Sequence, residues 1–400
     1  MRPVITGIGL ISPIGNGIVD FWENLLAGKC GIRDITRFDA SSFPCRIAGQ
    51  ADFHAEDYLD RRFVRFTSLA TQFACAAFVL ARKDAGIQDF TPRADVIVGS
   101  GVSNLGPVME QIEKTPQVLE GYLQTDPLLI QKMFIGGPAS GIALLAGANG
   151  FVTTVSTACS SGINAVGLAA DRIRHGKSDI VIAAACDAPL NHLVHTGFCS
   201  SGHYTNVNDP AAQKPFDVNR EKCAPGEGAT VFILEDHRRA RARGARIYCE
   251  IADFDAINEN TSELYFLDKT ATRWGSLIGR MARGVNHVNT HGISDRVVDH
   301  VESTAIKKGF GRRARRVTIT SIKGAVGSGL AAAGGFQIAS AAKTIETGIG
   351  PPTLHYSSED PDISLNVLTR PTKIDPQMVL INSHGVTGYN SALKLRRFRL

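Results

Sequence analysis

The 400-residue sequence lacks the features that mark membrane, zinc and thiol-redox proteins. It contains no run of about eighteen apolar residues, so we expect no membrane-spanning helix. None of its eight cysteines forms a CxxC pair, which leaves zinc and redox motifs unsupported. The N-terminus, MRPVITGIGLISPIGNG, is typical of a first strand and turn rather than of a signal peptide. Scattered cysteines without a leader indicate a reducing cytoplasm.

The sequence also has no large excess of charge of one sign. The net charge of +5 permits an acidic partner but does not require nucleic acid. Basic clusters do occur at 237–246, at 311–316 and near the C-terminus. A solvated surface is the simpler interpretation of each cluster, and a docking site for a small acidic protein is the sharper one.

Short β-rich runs alternate along the chain with alanine-rich helical stretches. ADVIVGSGV and GATVFILED are examples of the first kind, and RFTSLATQFACAAFVLARKDAG of the second. This alternation predicts an α/β fold. The series runs twice, so we predict two similar halves, residues 1–236 and residues 237–400.

Cys159 lies in the most distinctive local pattern, VTTVSTACSSG. The β-branched run before it is typical of a strand, and apolar residues recur at helical spacing after it. We therefore predict that Cys159 lies at a strand-to-helix turn, where the helix dipole lowers the pKa of its thiol. An inert buried cysteine is the usual alternative, but the small and hydroxylic neighbours favour a nucleophile.

Three polar residues in the second half are further candidates. His291 follows a short strand in a glycine turn, and Glu302 lies on the helix after it. Lys323 comes directly after a strand and before a glycine-rich helix start. If Lys323 and Glu302 form a buried ion pair, that pair holds His291 in place. Each residue considered alone is equally consistent with the protein surface.

The last motif, LINSHGVTGYNSALKLRRF, runs from a strand through a glycine-containing loop into a final strand. Backbone N–H groups of such loops form oxyanion holes. The loop residues of interest are His384, Gly385, Val386 and Gly388.

Together these segments resemble the β-ketoacyl synthases of type II fatty-acid and polyketide systems, over essentially the whole chain. TACSSG is similar to the nucleophile elbow of that family, and KPFDVNREKCAPGEGA to its PFD…GEGA segment. NTHGIS…DHVE resembles the first-histidine motif, SIKGAVGS the Lys…Gly-His motif, and NSHGVTGYN the C-terminal NSFGFGG-N loop.

The resemblance implies a thiolase fold, which is a duplicated five-layer α/β/α/β/α body, in a dimer. It implies acyl thioesters on acyl carrier protein as substrates, and no cofactor or metal. It maps Cys159 onto the acyl-accepting nucleophile, His291 onto the first catalytic histidine, and Lys323 with Glu302 onto the supporting pair. The backbone N–H groups of Cys159 and His384 are expected to form the oxyanion hole.

Several positions depart from the pattern of the family. Ser328 stands where the family has its second histidine, and a hydroxyl cannot become an imidazolium. Losing such a group typically costs a factor of roughly 10²–10⁴ in rate. Ile293 and Asp295 replace the threonines that hold the pantetheine arm, and Cys223 and His384 replace two phenylalanines.

These departures leave two interpretations. The favoured one is a chain-length-factor-like partner, which shapes the acyl tunnel of an active homologous ketosynthase in a heterodimer. The alternative is an active ketosynthase or acyltransferase, homodimeric or paired, that forms an acyl thioester on Cys159. A binding scaffold without acyl chemistry is disfavoured by the intact cysteine turn.

Two surfaces follow from the same resemblance. We predict that residues 154–158 and 133–137 lie at the dimer interface. We also predict that Arg61, Arg62 and Arg65 form a basic rim that meets the acidic carrier protein.

Overall fold

A computed structural model describes residues 1–90, 93–102, 105–114, 125–261 and 267–399 of the protein. The strands in these ranges are β1 (Pro3–Ser12), β2 (Gly15–Asn16), β3 (Ile32–Asp34), β4 (Ile47–Gly49), β5 (Asp95–Gly99), β6 (Val152–Val155), β7 (Ile180–Asp187), β8 (Gly228–Asp236), β9 (Cys249–Asn258), β10 (His287–Asn289), β11 (Thr318–Thr320), β12 (Ile349–Gly350), β13 (Asn366–Val367), β14 (Thr372–Lys373), β15 (Met378–Gly385) and β16 (Tyr389–Arg396). The α-helices are α1 (Ile18–Leu26), α2 (Arg61–Phe66), α3 (Leu69–Ala85), α4 (Leu105–Lys114), α5 (Leu129–Met133), α6 (Gly137–Ala146), α7 (Ser161–Arg174), α8 (His192–Ser200), α9 (His237–Ala242), α10 (Thr272–Met281), α11 (Arg296–Phe310), α12 (Lys323–Val326) and α13 (Ala331–Thr347).

In the described chain, ten strands of the twelve-stranded main sheet form two similar halves, which are joined edge to edge. The first half has the order β6-β5-β7-β8-β1, and the second has the order β11-β10-β15-β16-β9. In each half the first three strands of that order are parallel and the last two pairings are antiparallel. A short pairing of β1 with β9 joins the halves. The same strand order with the same directions occurs twice, which is the topology of a duplicated unit.

Helices cover both faces of each half, and this explains why β1, β5, β7 and β8 are buried along their whole length. On β8, Phe232 and Leu234 enter the central core, whereas Val231 and Ile233 enter the outer core beside α3. The central core also takes residues of α7 and α13, which lie between the two halves. The outer core of the second half includes Trp274 of α10, together with residues of α11.

The layers are therefore α3 and α6, the first half-sheet, α7 and α13, the second half-sheet, and α10 with α11. This confirms the prediction of a duplicated five-layer α/β/α/β/α fold. The three segments quoted as strands or helix are β5, β8 and α3, as predicted. Within the described ranges, no helix is both long and apolar enough to cross a bilayer.

Candidate active site

Cys159 lies in a tight turn between β6 and α7. Ala158, directly before it, has a φ of +52°, a conformation that non-glycine residues rarely adopt. The Ser161 hydroxyl donates to the Ala158 carbonyl at 2.6 Å and accepts the Thr157 N–H at 2.8 Å. The strained turn is thus held by the first residue of the helix, and Cys159 lies two residues before that helix begins.

Burial controls the thiol of Cys159. It raises the thiol pKa above its ordinary value, while the Lys323 ammonium opposes the rise and the Asp187 carboxylate adds to it. The sequence predicted a lowered pKa from the helix terminus alone, and that direction was wrong because burial outweighs the favourable charges. The thiol therefore needs help to ionise near neutral pH.

His291 lies between β10 and α11, and its ring is buried. Its Nδ1 lies 3.0 Å from Lys323 Nζ and 3.3 Å from Ser383 Oγ. An ammonium can only donate, so Nδ1 carries the lone pair and the ring proton is on Nε2. Burial, and then the Lys323 charge, hold the pKa of His291 well below its usual range. His291 is therefore neutral and presents an N–H donor.

Glu302 fixes the backbone of the histidine turn. Its two carboxyl oxygens accept the N–H groups of His291 and Gly292, both at 2.7 Å, and the Asn382 amide donates to it at 2.7 Å. The predicted Lys323–Glu302 ion pair is not formed, because Lys323 donates to the His291 ring instead. Glu302 thus holds His291 through its main chain and not through Lys323.

Ile293 and Asp295, which the sequence analysis expects in place of pantetheine-binding threonines, have structural partners. Asp295 caps α11 by accepting the N–H groups of Val297 and Val298. The Ile293 N–H donates to Asp299 at 2.9 Å, and the Ile293 side chain packs against the apolar cluster that contains Cys223. Neither side chain offers the hydroxyl that a pantetheine amide would meet at a threonine.

Ser328 follows a glycine turn, and its main chain pairs with the segment that contains Cys223. Its N–H donates to the Ala224 carbonyl at 2.8 Å. Burial raises the pKa of the Cys223 thiol to about 12, and the nearby Ser328 hydroxyl opposes that rise. The Lys323 charge lowers the pKa of the same thiol, and the Cys159 charge raises it. Ser328 and Cys223 therefore form one wall beside the nucleophile.

The β15–β16 hairpin closes the other side of the site. Its turn contains Val386, with Thr387 and Gly388 at φ of +76° and +87°, and the Gly388 N–H donates to the Gly385 carbonyl at 3.1 Å. The ring of His384 stacks on Trp274 at 5.3 Å between centroids and lies 6.2 Å from the ring of His291. That the backbone N–H groups of Cys159 and His384 form an oxyanion hole stays a prediction.

Four residues that the sequence analysis missed complete this arrangement. Ser383 donates to the Cys159 carbonyl at 3.2 Å. Asn390 lies 2.8 Å from His384 Nδ1 and donates to Glu259 at 2.7 Å. Asp187, at the end of β7, accepts the Ala331 N–H at 2.8 Å and the Val102 N–H at 2.9 Å. A charged residue at the end of an apolar strand was the available signal for Asp187.

The predicted carrier-protein rim lies on and beside α2. Arg61, Arg62 and Arg65 are all exposed, and Arg61 lies 3.6 Å from Glu56. Arg62 lines a cavity of about 520 Å³ together with Phe66 and other residues. Arg65 lines a second cavity of about 690 Å³. Cys159 is not among the described residues that line either cavity, so the rim stays a prediction.

Two family models match this chain. The β-ketoacyl synthase N-terminal domain matches residues 1–240, and the β-ketoacyl synthase C-terminal domain matches residues 272–357. The chain is 34% identical to the tetracenomycin polyketide synthase ketoacyl synthase alpha subunit of Streptomyces glaucescens, with 99% of this chain and 97% of the relative covered. It is also 34% identical to 3-oxoacyl-[acyl-carrier-protein] synthase 2 of Coxiella burnetii, with 99% and 98% covered.

Solved structures of ketosynthases also resemble this chain over its full length. The ishigamide ketosynthase/chain length factor superimposes with a TM-score of 0.91 at 29% identity, with 100% of this chain and 99% of that chain covered. A type II polyketide synthase acyl-carrier protein in complex with its ketosynthase gives a TM-score of 0.90 at 28% identity, with 99% of each chain covered. Because two family models and full-length relatives agree along the sequence, the chain belongs to the β-ketoacyl synthase family.

Proposed function

We propose that this chain is a chain-length-factor-like partner of an active ketosynthase, and that it accepts an acyl group on Cys159 without elongating it. The observation that carries the proposal is that Ser328 stands where the family has its second histidine, with its N–H donating to the Ala224 carbonyl at 2.8 Å beside Cys223. Transfer of an acyl group and its elongation make different demands on the site, and the residues present suit the first.

Acyl transfer needs a nucleophilic thiolate and donors for the oxyanion. Cys159 lies in a strained turn before α7, and the nearby Lys323 ammonium favours the thiolate. His291 contributes an Nε2–H donor in a fixed tautomer. These groups support formation of an acyl thioester on Cys159.

Elongation needs more, because a malonyl thioester must lose CO₂ and its enolate oxygen must be stabilised. Two imidazoles normally serve that oxygen in the family, and here Ser328 takes the place of one. A neutral hydroxyl is the weaker donor. The pantetheine threonines are replaced by Ile293 and Asp295, and Asp295 is engaged as a helix cap. Both changes weaken the malonyl half of the reaction.

The relatives suggest the partners. One structural relative is named as a ketosynthase/chain length factor, and another is a ketosynthase in complex with its acyl-carrier protein. By analogy we propose a homologous ketosynthase and an acidic acyl carrier protein as partners of this chain. The exposed Arg61, Arg62 and Arg65 are the proposed contact for the carrier, whose binding should then weaken with salt.

The decisive experiment compares the isolated chain with the assembled pair. The isolated chain should take an acyl group on Cys159, detected by mass spectrometry of the tryptic peptide, but should not elongate it with malonyl-carrier protein. In the pair, Cys159→Ala should leave most product formation intact. Robust elongation by this chain alone, abolished by Cys159→Ala, would overturn the proposal.

That opposite result would support the second candidate, an active ketosynthase. The observation in its favour is that Lys323 donates to the His291 ring and Ser383 donates to the Cys159 carbonyl. A chain that only shapes a tunnel has no need of a buried lysine, which costs free energy to desolvate.

A further inference from the structure

We propose that Asp187 is a positioning residue for Cys159. Its carboxylate holds the chain after β5 and the start of α13 against the nucleophile turn, residues 156–160. The inference rests on the proposed function, because it concerns acyl loading of Cys159. It goes beyond that function because it assigns a role to a buried carboxylate on β7, a strand that carries none of the predicted site residues.

The carboxylate of Asp187 is surrounded by hydrogen-bond donors. Its Oδ1 accepts the Ser100 hydroxyl at 3.2 Å and the Val102 N–H at 2.9 Å. Its Oδ2 accepts the Ala331 N–H at 2.8 Å, and the Gly101 nitrogen lies 3.1 Å from both oxygens. The residue has no exposed surface. Because every one of these partners donates, the surroundings match an ionised carboxylate, which only accepts.

Asp187 is ionised at neutral pH although it is buried. Burial raises the pKa of its carboxyl group to about 6, and the N–H groups around it, first that of Ala331, oppose the rise. The charge acts on two titratable neighbours, Cys159 and Cys186, and raises the pKa of both thiols. The carboxylate therefore affects the nucleophile through its charge as well as through the segments that it holds.

The first of these segments, residues 100–102, lies directly after β5 and against the nucleophile turn. A Cβ added at Gly101 would lie 3.2 Å from Asp187 Oδ2 and 3.9 Å from the carbonyl oxygen of Ala158. Gly101 therefore lies between the carboxylate and the residue that precedes Cys159. The hydrogen bonds to residues 100–102 thus support the strained part of the turn from one side.

The second segment is the start of α13, which lies against the start of α7. A Cβ added at Gly162 would lie 2.4 Å from the Ala331 carbonyl oxygen. The residue that donates to Asp187 therefore touches α7 three residues after Cys159. Ala331 also follows Ser328 by three residues, so the same hydrogen bond anchors the end of the loop that carries Ser328.

The position and the charge of Asp187 act on Cys159 in opposite directions. Displacement of a reacting atom by about 1 Å can slow a reaction by about 100-fold, so support of the turn favours acyl loading. Burial is the main cause of the raised pKa of the Cys159 thiol, and the negative charge of Asp187 adds to it. Loss of the carboxylate should therefore make the thiol more acidic and acyl loading slower. A general loss of folding would not produce this combination.

The variant Asp187→Asn separates the two effects. Asparagine has no charge, and its NH₂ group cannot accept a hydrogen bond from the surrounding donors. The pH midpoint of iodoacetamide labelling of the Cys159 peptide should fall by about half a pH unit, which is about threefold in thiolate at a given pH. Acylation of Cys159 by an octanoyl-carrier protein, followed by mass spectrometry, should slow by about 10- to 100-fold.

Hydrogen exchange measures the positioning without any acyl transfer. The N–H groups of Thr157, Ser160 and Ser161 all donate within or beside the nucleophile turn. Exchange of these amides should become at least about tenfold faster in Asp187→Asn, because the turn loses support from both segments. A more exposed thiol alone would raise the labelling rate at every pH without moving its midpoint.

Two further variants provide the controls. Asp95 is 3% exposed and accepts the Phe151 N–H at 2.7 Å at the start of β5, the end of that strand away from Cys159. Asp95→Asn should therefore leave the labelling midpoint, the exchange of the turn and acylation unchanged. Asp187→Glu keeps the charge but moves the carboxylate by one CH₂ group. It should keep the wild-type midpoint and still acylate slowly, and wild-type acylation in this variant would contradict a positioning role.

The outcomes distinguish this role from the proposed function. Wild-type exchange of the turn in a folded Asp187→Asn, or a wild-type rate of acylation, would overturn the role of Asp187. Faster exchange in this variant, together with a wild-type chain that takes no acyl group, would uphold that role and refute the proposed acyl loading. If Asp187→Asn does not fold, Ser100→Ala removes one donor and keeps the carboxylate. Exchange of the turn should then rise by about threefold, and unchanged exchange would overturn the proposal.

Discussion

Among single residues, Lys323 is a buried side chain that acts on two neighbours, His291 and Cys159. It donates to the ring of His291 and its charge opposes the raised pKa of Cys159. It is itself 1% exposed, and burial lowers its own pKa. The residue thus contributes to reactivity at a cost in folding free energy.

Replacement of this lysine should separate reactivity from stability. In Lys323→Met, we expect iodoacetamide labelling of Cys159 at pH 7 to slow by about tenfold, because the favourable charge is lost. The free energy of unfolding in urea should be unchanged or higher, because the ammonium of Lys323 no longer has to be buried. Lys308→Met, at an exposed position on α11, is the control and should change neither quantity. Equal labelling rates in the two variants would contradict this role.

Buried histidines should make the fold sensitive to acid. Burial lowers the pKa values of His287, His291 and His384, that of His287 to about 3. Below a pH of about 6.5, these three side chains bind protons in the unfolded chain but not in the folded chain, so their contribution to stability is complete above that pH and falls as pH decreases. Each such group contributes a slope of about 1.4 kcal/mol per pH unit.

His287 provides the test, because it lies at the start of β10 and its Nε2 has no hydrogen-bond partner. His287→Leu should flatten the dependence of the unfolding free energy on pH between 6.5 and 5 by about one proton. Urea titrations at several pH values give this slope. A slope that stays as steep as in the wild type would mean that His287 is protonated in the folded state.

At the scale of elements, the position of Cys159 depends on how closely β5 approaches the start of α7. A Cβ added at Gly99, at the end of β5, would lie 2.2 Å from the Ser161 carbonyl oxygen. Since that distance is far shorter than any van der Waals contact, Gly99→Ala must displace the first turn of α7. The displacement reaches the hydrogen bonds that hold Thr157 and Ala158.

We expect Gly99→Ala to lower the unfolding free energy by about 1–3 kcal/mol and to abolish acylation of Cys159. Gly106→Ala is the matched control, because an added Cβ there meets no atom within 4 Å. Thermal unfolding and mass spectrometry of the Cys159 peptide measure the two effects. Normal acylation in Gly99→Ala would show that the turn does not depend on this contact.

The strands and helices that carry the site could be predicted because their signals are local. The apolar runs of β5, β7 and β8 and the helical spacing after Cys159 are visible in short windows of sequence. The link between Asn390 and Glu259 spans 131 residues and has no such signal. Burial is likewise a property of the folded chain, which is why the pKa direction of Cys159 was predicted wrongly.

The Lys323–Glu302 pair shows a second kind of error. Both residues do support His291, as their positions in the motifs suggested, but Glu302 binds the main chain and Lys323 the ring. A motif gives the residues of a site without giving which atoms meet. Hydrogen-bond geometry has to come from the folded structure.

At the scale of the whole molecule, one edge of the sheet is suited to association. β6 is the terminal strand of the sheet order, so its outer edge has no strand beside it in the described chain. Large apolar side chains are exposed nearby, among them Leu144 at 72%, Phe134 at 60% and Val152 at 37%. An open strand edge flanked by apolar surface favours pairing with another chain.

We therefore expect this chain to sediment as a dimer, alone or with a homologous ketosynthase. Leu144→Glu should weaken the dimer by at least about tenfold in Kd, because a charge would be buried at the interface. Val297→Glu, equally on an exposed apolar residue but on α11, should leave the sedimentation coefficient unchanged. A monomeric wild-type protein would refute the predicted interface of residues 133–137 and 154–158.

The repeated strand order has an evolutionary consequence. Cys159 follows β6 and Lys323 follows β11, and these two strands occupy the same place in the two halves. A unit that assembles with a copy of itself has to use one side chain at both places. Two copies joined in one chain are free of that constraint, so one place can hold a nucleophile and the other a cation. Pairing of this chain with a homologous subunit would separate two functions in the same way, between two genes. One subunit would keep elongation, and the other would be left with acyl loading.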